Sequence, residues 1–421
     1  MEPVFSTAGA LVGLFLAMAL IVRKVTPAYA LVLGALAGGL LGGGGLAQSV
    51  SSMVAGAQSM VPSVLRILAS GVLVGALVKT GSAAKIAEAI VAWLGVRFAL
   101  AAIALATLVV TSVGVFVDVA VITVAPVALA VGRKAGLPVP SLLLAMVGGG
   151  KAGNVLSPNP NTIAVAEAFK LDLTEVMAAN VIPALCALAM TVALSAWLAR
   201  RWTACESTMA SDGAGASGAA PALWQAALGP LAVVGLLSLR PLCGLSVDPL
   251  VALPAGGLVS ILVCGRARET VAFSEFGLSK VMGVSILLVG TGTVAGIVKA
   301  SGLNADMIRL LDACRLPVSA LAPVSSFLLA GATASTTAGA TIAAQTFSGA
   351  LLSAGVPSLS AAAMLHAGST VIDALPHGSF FHATAGAVGM GVKDRLKLIP
   401  FGALVGLTTT LASALVYLAK G

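Results

Sequence analysis

The chain has 421 residues, 59% of them hydrophobic and 9% charged, with a mean hydropathy of +1.07 and a formal net charge of +8. A soluble domain carries about a quarter charged residues, so this composition excludes one, and the recurring apolar runs of near-bilayer length define an all-α polytopic membrane protein. The positive excess sits at the ends of apolar runs (Arg23-Lys24, Arg133-Lys134, Arg200-Arg201, Arg266 with Arg268, Lys393 with Arg395 and Lys397), as in cytoplasmic loops, so no nucleic-acid partner is expected.

In chain order, apolar segments at 7–22 and 28–45 flank Arg23-Lys24. Glu2 and the lack of a basic leader make the first a retained membrane helix rather than a cleaved signal. A third segment at 62–79 leads into an amphipathic stretch with Lys79, Lys85, Glu88 and Arg97, suited to the membrane surface. Residues 98–131 form one apolar span with a soft centre, TSVGVFVD at 111–118, which fits either two crossings or a re-entrant hairpin. The sequence GGGKAGNVLSPNPNTIAVAEAF at 148–169 then interrupts the apolar pattern. Pro158 and Pro160 must break a helix arriving from Leu142, and a new helix is predicted from Thr162 with Asn161 as its cap. Broken backbone at membrane depth persists only where protein or a water-filled cavity satisfies it, so the broken helix at 141–170 reads as half of a binding site. A helix at 174–199 follows, and the polar, glycine-rich residues 203–222 read as a cytoplasmic linker.

After the linker the series recurs. Segments at 223–239, 247–264 and 281–299 precede a surface-like stretch with Arg309 and Arg315, then an apolar span at 317–353 with the soft centre GATASTTAG. A second broken segment covers 358–390, and a last helix lies at 397–418. The repeat is visible in residues: Gly75-Ala-Leu-Val-Lys-Thr-Gly81 echoes Gly296-Ile-Val-Lys-Ala-Ser-Gly302, and Ala135-Gly-Leu-Pro138 echoes Ala354-Gly-Val-Pro357, so Asn154 matches Asp373. Residues 1–202 and 223–421 are therefore two repeats. If each soft-centred span is a hairpin, each half has about five crossings, an odd number that inverts the second half and leaves both termini outside. Inverted repeats with broken helices near the midplane are the architecture of secondary transporters.

Hairpin tips and breaks bring helix N-termini to one depth, where unpaired N–H groups and the helix dipole favour anions. Candidate ligands from the first half are Ser112, Asn154, Ser157, Asn159, Asn161 and Thr162. From the second half they are Thr333, Ser335, Thr336, Thr337, Ser379 and Thr384. Each has a plainer alternative as a helix cap. Asp118 and Asp373 are carboxylates at membrane depth, where charge is costly and usually functional, and are candidate proton carriers. Lys151 either attracts the anion or neutralises one of them. All three histidines, 366, 377 and 382, fall in the second broken segment; His377 lies beside the break, and their spacing does not suit a metal. Glu167, past the first break, faces either the cavity or the outer surface. Five cysteines without a CxxC spacing read as free thiols, and no GxSxG or HExxH points to an enzyme or a cofactor. Matched breaks favour alternating access over a channel.

The segments NVLSPNPNTIAVAEAF (154–169), GTGTVAGIVKASGL (290–303) and GSFFHATAGAVGMGVKDRLK (378–397) resemble the gluconate permease (GntP) family of the ion transporter superfamily, and the resemblance covers most of the chain. It implies proton-coupled uptake of gluconate or a related sugar acid or hydroxycarboxylate. It also implies a homodimer in a bacterial inner membrane, with hairpins and broken helices forming an elevator-type transport unit. Gluconate-type members carry a His–Pro–Gly–Pro-like break where this chain has Pro158-Asn159-Pro160-Asn161. Asn161-Thr162 and Ser335-Thr336-Thr337 also resemble the tips of sodium-coupled dicarboxylate carriers, so sodium-driven uptake of di- or tricarboxylates is the alternative.

Overall fold

The computed structural model describes residues 4–202, 220–243, 245, 247–303, 305, 306, 309, 313, 317–376 and 378–418. Most of the expected linker, together with Arg315 and His377, lies outside the described residues. Among the described residues the regular structure is helical, with one isolated bridge between Phe5 and Ser301.

The first half comprises α1 (Thr7–Val22), α2 (Pro27–Leu41), α3 (Leu46–Gln58), α4 (Val61–Lys79), α5 (Ser82–Leu94), α6 (Ala99–Ser112), α7 (Val117–Ala135), α8 (Val139–Asn154), α9 (Pro160–Phe169), α10 (Leu173–Ala179) and α11 (Val181–Arg201). The second comprises α12 (Leu223–Cys243), α13 (Pro249–Val263), α14 (Thr270–Lys299), α15 (Leu321–Thr333), α16 (Thr336–Ser353), α17 (Ser358–Gly368), α18 (Ser379–Gly386), α19 (Val392–Leu396) and α20 (Ile399–Leu418). The helices starting at Val117, Val139 and Pro160 have counterparts starting 219 residues later, at Thr336, Ser358 and Ser379.

Four helical stretches, Val61–Lys79, Val181–Arg201, Ala267–Lys299 and Val392–Tyr417, are long and apolar enough to cross a bilayer, and α1, α2 and α13 are shorter apolar helices. Large apolar side chains stand on the outside, with Phe15, Trp93 and Leu415 exposed at 70%, 82% and 74%. Such a surface suits contact with lipid or with another protein surface. The amphipathic stretch after Lys79 forms α5, which meets the following helix at 104°.

Helix ends follow local chemistry. Ser6 accepts a hydrogen bond from the Gly9 amide to start α1, and Gly136, with φ of +63°, ends α7 in a left-handed conformation that glycine adopts without strain. Two hairpins result, α6–α7 and α15–α16, whose tips lie at 113–116 and 334–335. The 14-residue α6 and the 13-residue α15 reach only about 20 Å each, short of a hydrocarbon core of about 30 Å.

The triple glycine of α8 serves close packing. A Cβ on Gly149 would stand 2.1 Å from the Ala104 carbonyl oxygen of α6, and one on Gly153 would stand 2.3 Å from that of Leu108. The broken helix also joins two apolar clusters. Leu142, Leu143 and Val147 of α8 belong to one with Ile103 and Val121, whereas Val165 and Phe169 of α9 belong to another with Ile342, Phe347 and Leu365.

Several boundaries differ from the sequence reading. Helix α3 has no counterpart among the apolar segments, because Gln48, Ser49, Ser51, Ser52 and Gln58 dilute its hydropathy; it packs on α14 with Gly56 against Gly292 and Gly296. The helix expected from 281 begins at Thr270, so α14 runs 30 residues. The helix expected over 174–199 is split at Asn180 into α10 and α11. In the first break the cap is Asn159, not Asn161, and the helix starts at Pro160, whose fixed φ and missing N–H suit a first helical position.

Candidate functional site

Both hairpin tips and both breaks open onto one cavity of about 860 Å³. Phe116–Val119 come from the first tip and Thr333–Ala338 from the second. Asn154 and Asn161 come from the first break, and Asp373, Pro376, Gly378–Phe380 and His382 from the second. The facing wall is built from Lys24–Ala28, which cover the turn after α1 and the first residues of α2, and from Lys280, Gly283, Val284, Ile286 and Leu287 of α14.

The first break is held by its own asparagines. Asn154 Oδ1 accepts from Asn159 Nδ2 at 2.6 Å and from Asn161 Nδ2 at 3.2 Å. Asn159 Oδ1 accepts the backbone amides of Asn161 and Thr162 at 3.0 and 3.1 Å, and the Thr162 hydroxyl donates to the Ser157 carbonyl at 2.6 Å. Asn159 and Thr162 therefore satisfy broken backbone, while Asn154 and Asn161 reach the cavity. The Asn161 side-chain oxygen is buried without a protein partner, and so is the Ser157 hydroxyl, which lies off the cavity wall.

At the second tip, Ser335 caps α16 by accepting from the Ala338 amide, and Thr333 donates back to the Leu329 carbonyl. Thr336 donates to Asp373 Oδ2 at 2.6 Å, and Thr337 and Ser379 line the cavity. Ser379 opens α18 after Gly378, which has no side chain to cap the first amides. Ser112 donates to the Val109 carbonyl and Thr384 to that of Phe380, both away from the cavity wall. His366 is fully buried in α17, whereas His382 lines the cavity with Nε2 2.7 Å from the Pro376 carbonyl. Among the described residues no group of three metal-ligating side chains occurs.

Of the charged candidates, Asp118 and Asp373 line the cavity and Lys151 does not. The Lys151 ammonium lies behind the wall, 2.6 Å from Asp373 Oδ1, and donates to the Thr370 and Gly402 carbonyls. Glu167 points elsewhere, pairing with Arg66, which also binds Asp248 at 2.8 Å and so ties α9 to α4 and the start of α13. Sequence reasoning missed two wall cations, Lys24 and Lys280: Lys24 follows the end of α1, and Lys280 falls just before the apolar run read from 281, so each resembled a loop lysine. It also placed Arg395 in a cytoplasmic cluster. The structure buries that guanidinium, which donates to Thr384 Oγ1 at 3.2 Å and stacks over Phe381, bracing α18 beneath the cavity.

An apolar multi-helix body with broken helices around a cavity that carries polar and charged groups is the form of a polytopic membrane transporter. The chain belongs to the GntP permease family, whose model, described as GntP family permease, matches residues 5–419. It is 50% identical over 412 residues to an uncharacterized transporter of Haemophilus influenzae, covering 98% of each chain. A second Haemophilus influenzae protein, an uncharacterized permease, is 26% identical over 197 residues, 46% of this chain and 40% of its own. The fold is similar to the crystal structure of the Alcanivorax borkumensis YdaH transporter, with a TM-score of 0.61 and 18% identity over 88% of this chain and 87% of that one.

Proposed function

We propose that this permease imports a small organic acid anion, gluconate or a related sugar acid or hydroxycarboxylate, together with protons. The observation that carries the reading is the convergence of two hairpin tips and two breaks on one cavity bearing helix starts, amides, hydroxyls, two cations and two carboxylates. The substrate carboxylate rests near the starts of α16 and α18, where free amides and the helix dipole favour it. Asn154, Asn161, Thr337 and Ser379 bind its hydroxyls. Lys24 and Lys280 supply the positive potential that draws the anion in.

The hairpins and broken helices, α6–α9 and α15–α18, form the moving unit, and α1–α4 with α12–α14 form the scaffold of a homodimer in the bacterial inner membrane. The short α6 and α15 support re-entrant hairpins, and the constant 219-residue offset supports two repeats, inverted by their odd number of crossings.

Proteoliposomes given labelled gluconate under separate proton and sodium gradients test the reading. Uptake driven by protons alone supports it. Uptake driven by sodium alone replaces it with sodium-coupled carboxylate transport, the tip carbonyls and hydroxyls then holding the ion. No gluconate uptake under either gradient removes the sugar-acid assignment.

A further inference from the structure

We infer that Asp118 is the carboxylate that takes up and releases the coupling proton, and that Asp373 is held as the fixed counter-ion of Lys151. The inference rests on the proton-coupled reading above and divides the work between two carboxylates that the sequence treats as equals.

The Lys151–Asp373 pair is buried and held on both sides. One Asp373 oxygen lies 2.6 Å from the Lys151 ammonium and the other accepts from the Thr336 hydroxyl at 2.6 Å. The ammonium also donates to the Thr370 and Gly402 carbonyls at 2.7 and 3.1 Å. The two side chains are 2% and 3% exposed. A proton arriving at Asp373 would strip a buried ammonium of its counter-charge, a large loss in a low-dielectric interior. Lys151 is likewise buried behind the wall, out of reach of an anion in the cavity. The pair instead fastens α8 to the second break and to α20.

Asp118 stands differently. It lies in the first turn of α7, half-buried on the cavity wall, with Oδ1 accepting its neighbour's amide, that of Val119, at 2.9 Å. Among the described residues it makes no ion pair. Lys280 on α14 interacts with it electrostatically, and Lys24, His382 and Asp373 share its cavity. Of the elements packed on α7, α6 contributes no charged group, α8 contributes Lys151 already held by Asp373, α5 contributes Lys85, paired with Glu88 at 3.6 Å, the 96–98 turn contributes Arg97, whose guanidinium lies over the Phe98 ring, and α18 contributes His382. The Asp118 charge can therefore change without leaving a buried counter-ion behind.

Dicyclohexylcarbodiimide, which modifies protonated carboxyl groups in apolar surroundings, tests this on the purified full chain, with peptide mass spectrometry as the readout. The expected result is label on Asp118 that falls several-fold as pH is raised, and none on Asp373. Label on Asp373, or none on Asp118 at any pH, overturns the inference. In proteoliposomes, Asp118→Asn is expected to lose proton-driven gluconate accumulation far more than gluconate counterflow, whereas Asp373→Asn lowers both together. The opposite split also overturns it. Wild-type uptake indifferent to a proton gradient would refute proton symport instead, and the labelling, which needs neither substrate nor gradient, separates that failure from this one.

Discussion

Removing the Lys151 ammonium while keeping Asp373 leaves a buried carboxylate without its partner, a change that costs about 3–5 kcal/mol when such pairs are broken from one side. Lys151→Met is therefore expected to lower the melting temperature of the detergent-solubilised protein sharply, and Lys151→Met combined with Asp373→Asn much less; thermal unfolding of the two variants checks it. Asn159→Ala removes a cap that accepts two backbone amides and is expected to cost about 1–2 kcal/mol in the same assay. At this scale the sequence was half legible. Two prolines in four residues announce a break wherever they occur, but which asparagine caps the restart depends on where Pro160 places the first turn. The Lys151 partner was open because Asp373 lies 222 residues away and no local pattern encodes such a contact. Arg395 misled for the opposite reason: its neighbours Lys393 and Lys397 are exposed, and only the fold turns the middle residue of the three inward.

Close helix approach rests on backbone-to-backbone contact at chosen glycines. Gly149→Val would drive side-chain atoms into the Ala104 carbonyl, so α8 would have to part from α6, and folded yield on size-exclusion chromatography is expected to collapse. Gly235→Ala in α12, where nothing stands within 4 Å of the added carbon, is expected to be neutral or to stabilise by up to about 1 kcal/mol, since alanine is the better helix former. Hydropathy found the apolar helices and the paired soft centres. It failed for α3, whose serines and glutamines make a helix that only packing on α14 sustains, and for the start of α14, where Glu275 and Lys280 mask a continuous helix.

For the whole molecule, the basic segment ends lead us to propose that residues 203–219 lie inside and both termini outside. A periplasm-active reporter such as alkaline phosphatase is expected to be active when fused after Gly421 and inactive when inserted in 203–219, and the reverse pattern would invert the topology. The membrane class was plain from composition alone, because 9% charge cannot cover a soluble surface. The facing wall of the cavity, from Lys24–Ala28 and α14, was not, because it depends on how distant helices dock. That docking bears on biosynthesis. Lys151 leaves the ribosome 222 residues before Asp373, and at about 5–20 residues per second the interval is on the order of 10–40 seconds. Through that time a half-made permease holds an ammonium with no carboxylate to meet it. The early half is thus an orphan until the late half arrives, which favours quality-control proteases that destroy truncated chains. Residues 1–202 expressed alone are expected to be degraded, and co-expressed residues 220–421 to protect them, as a pulse-chase experiment would show.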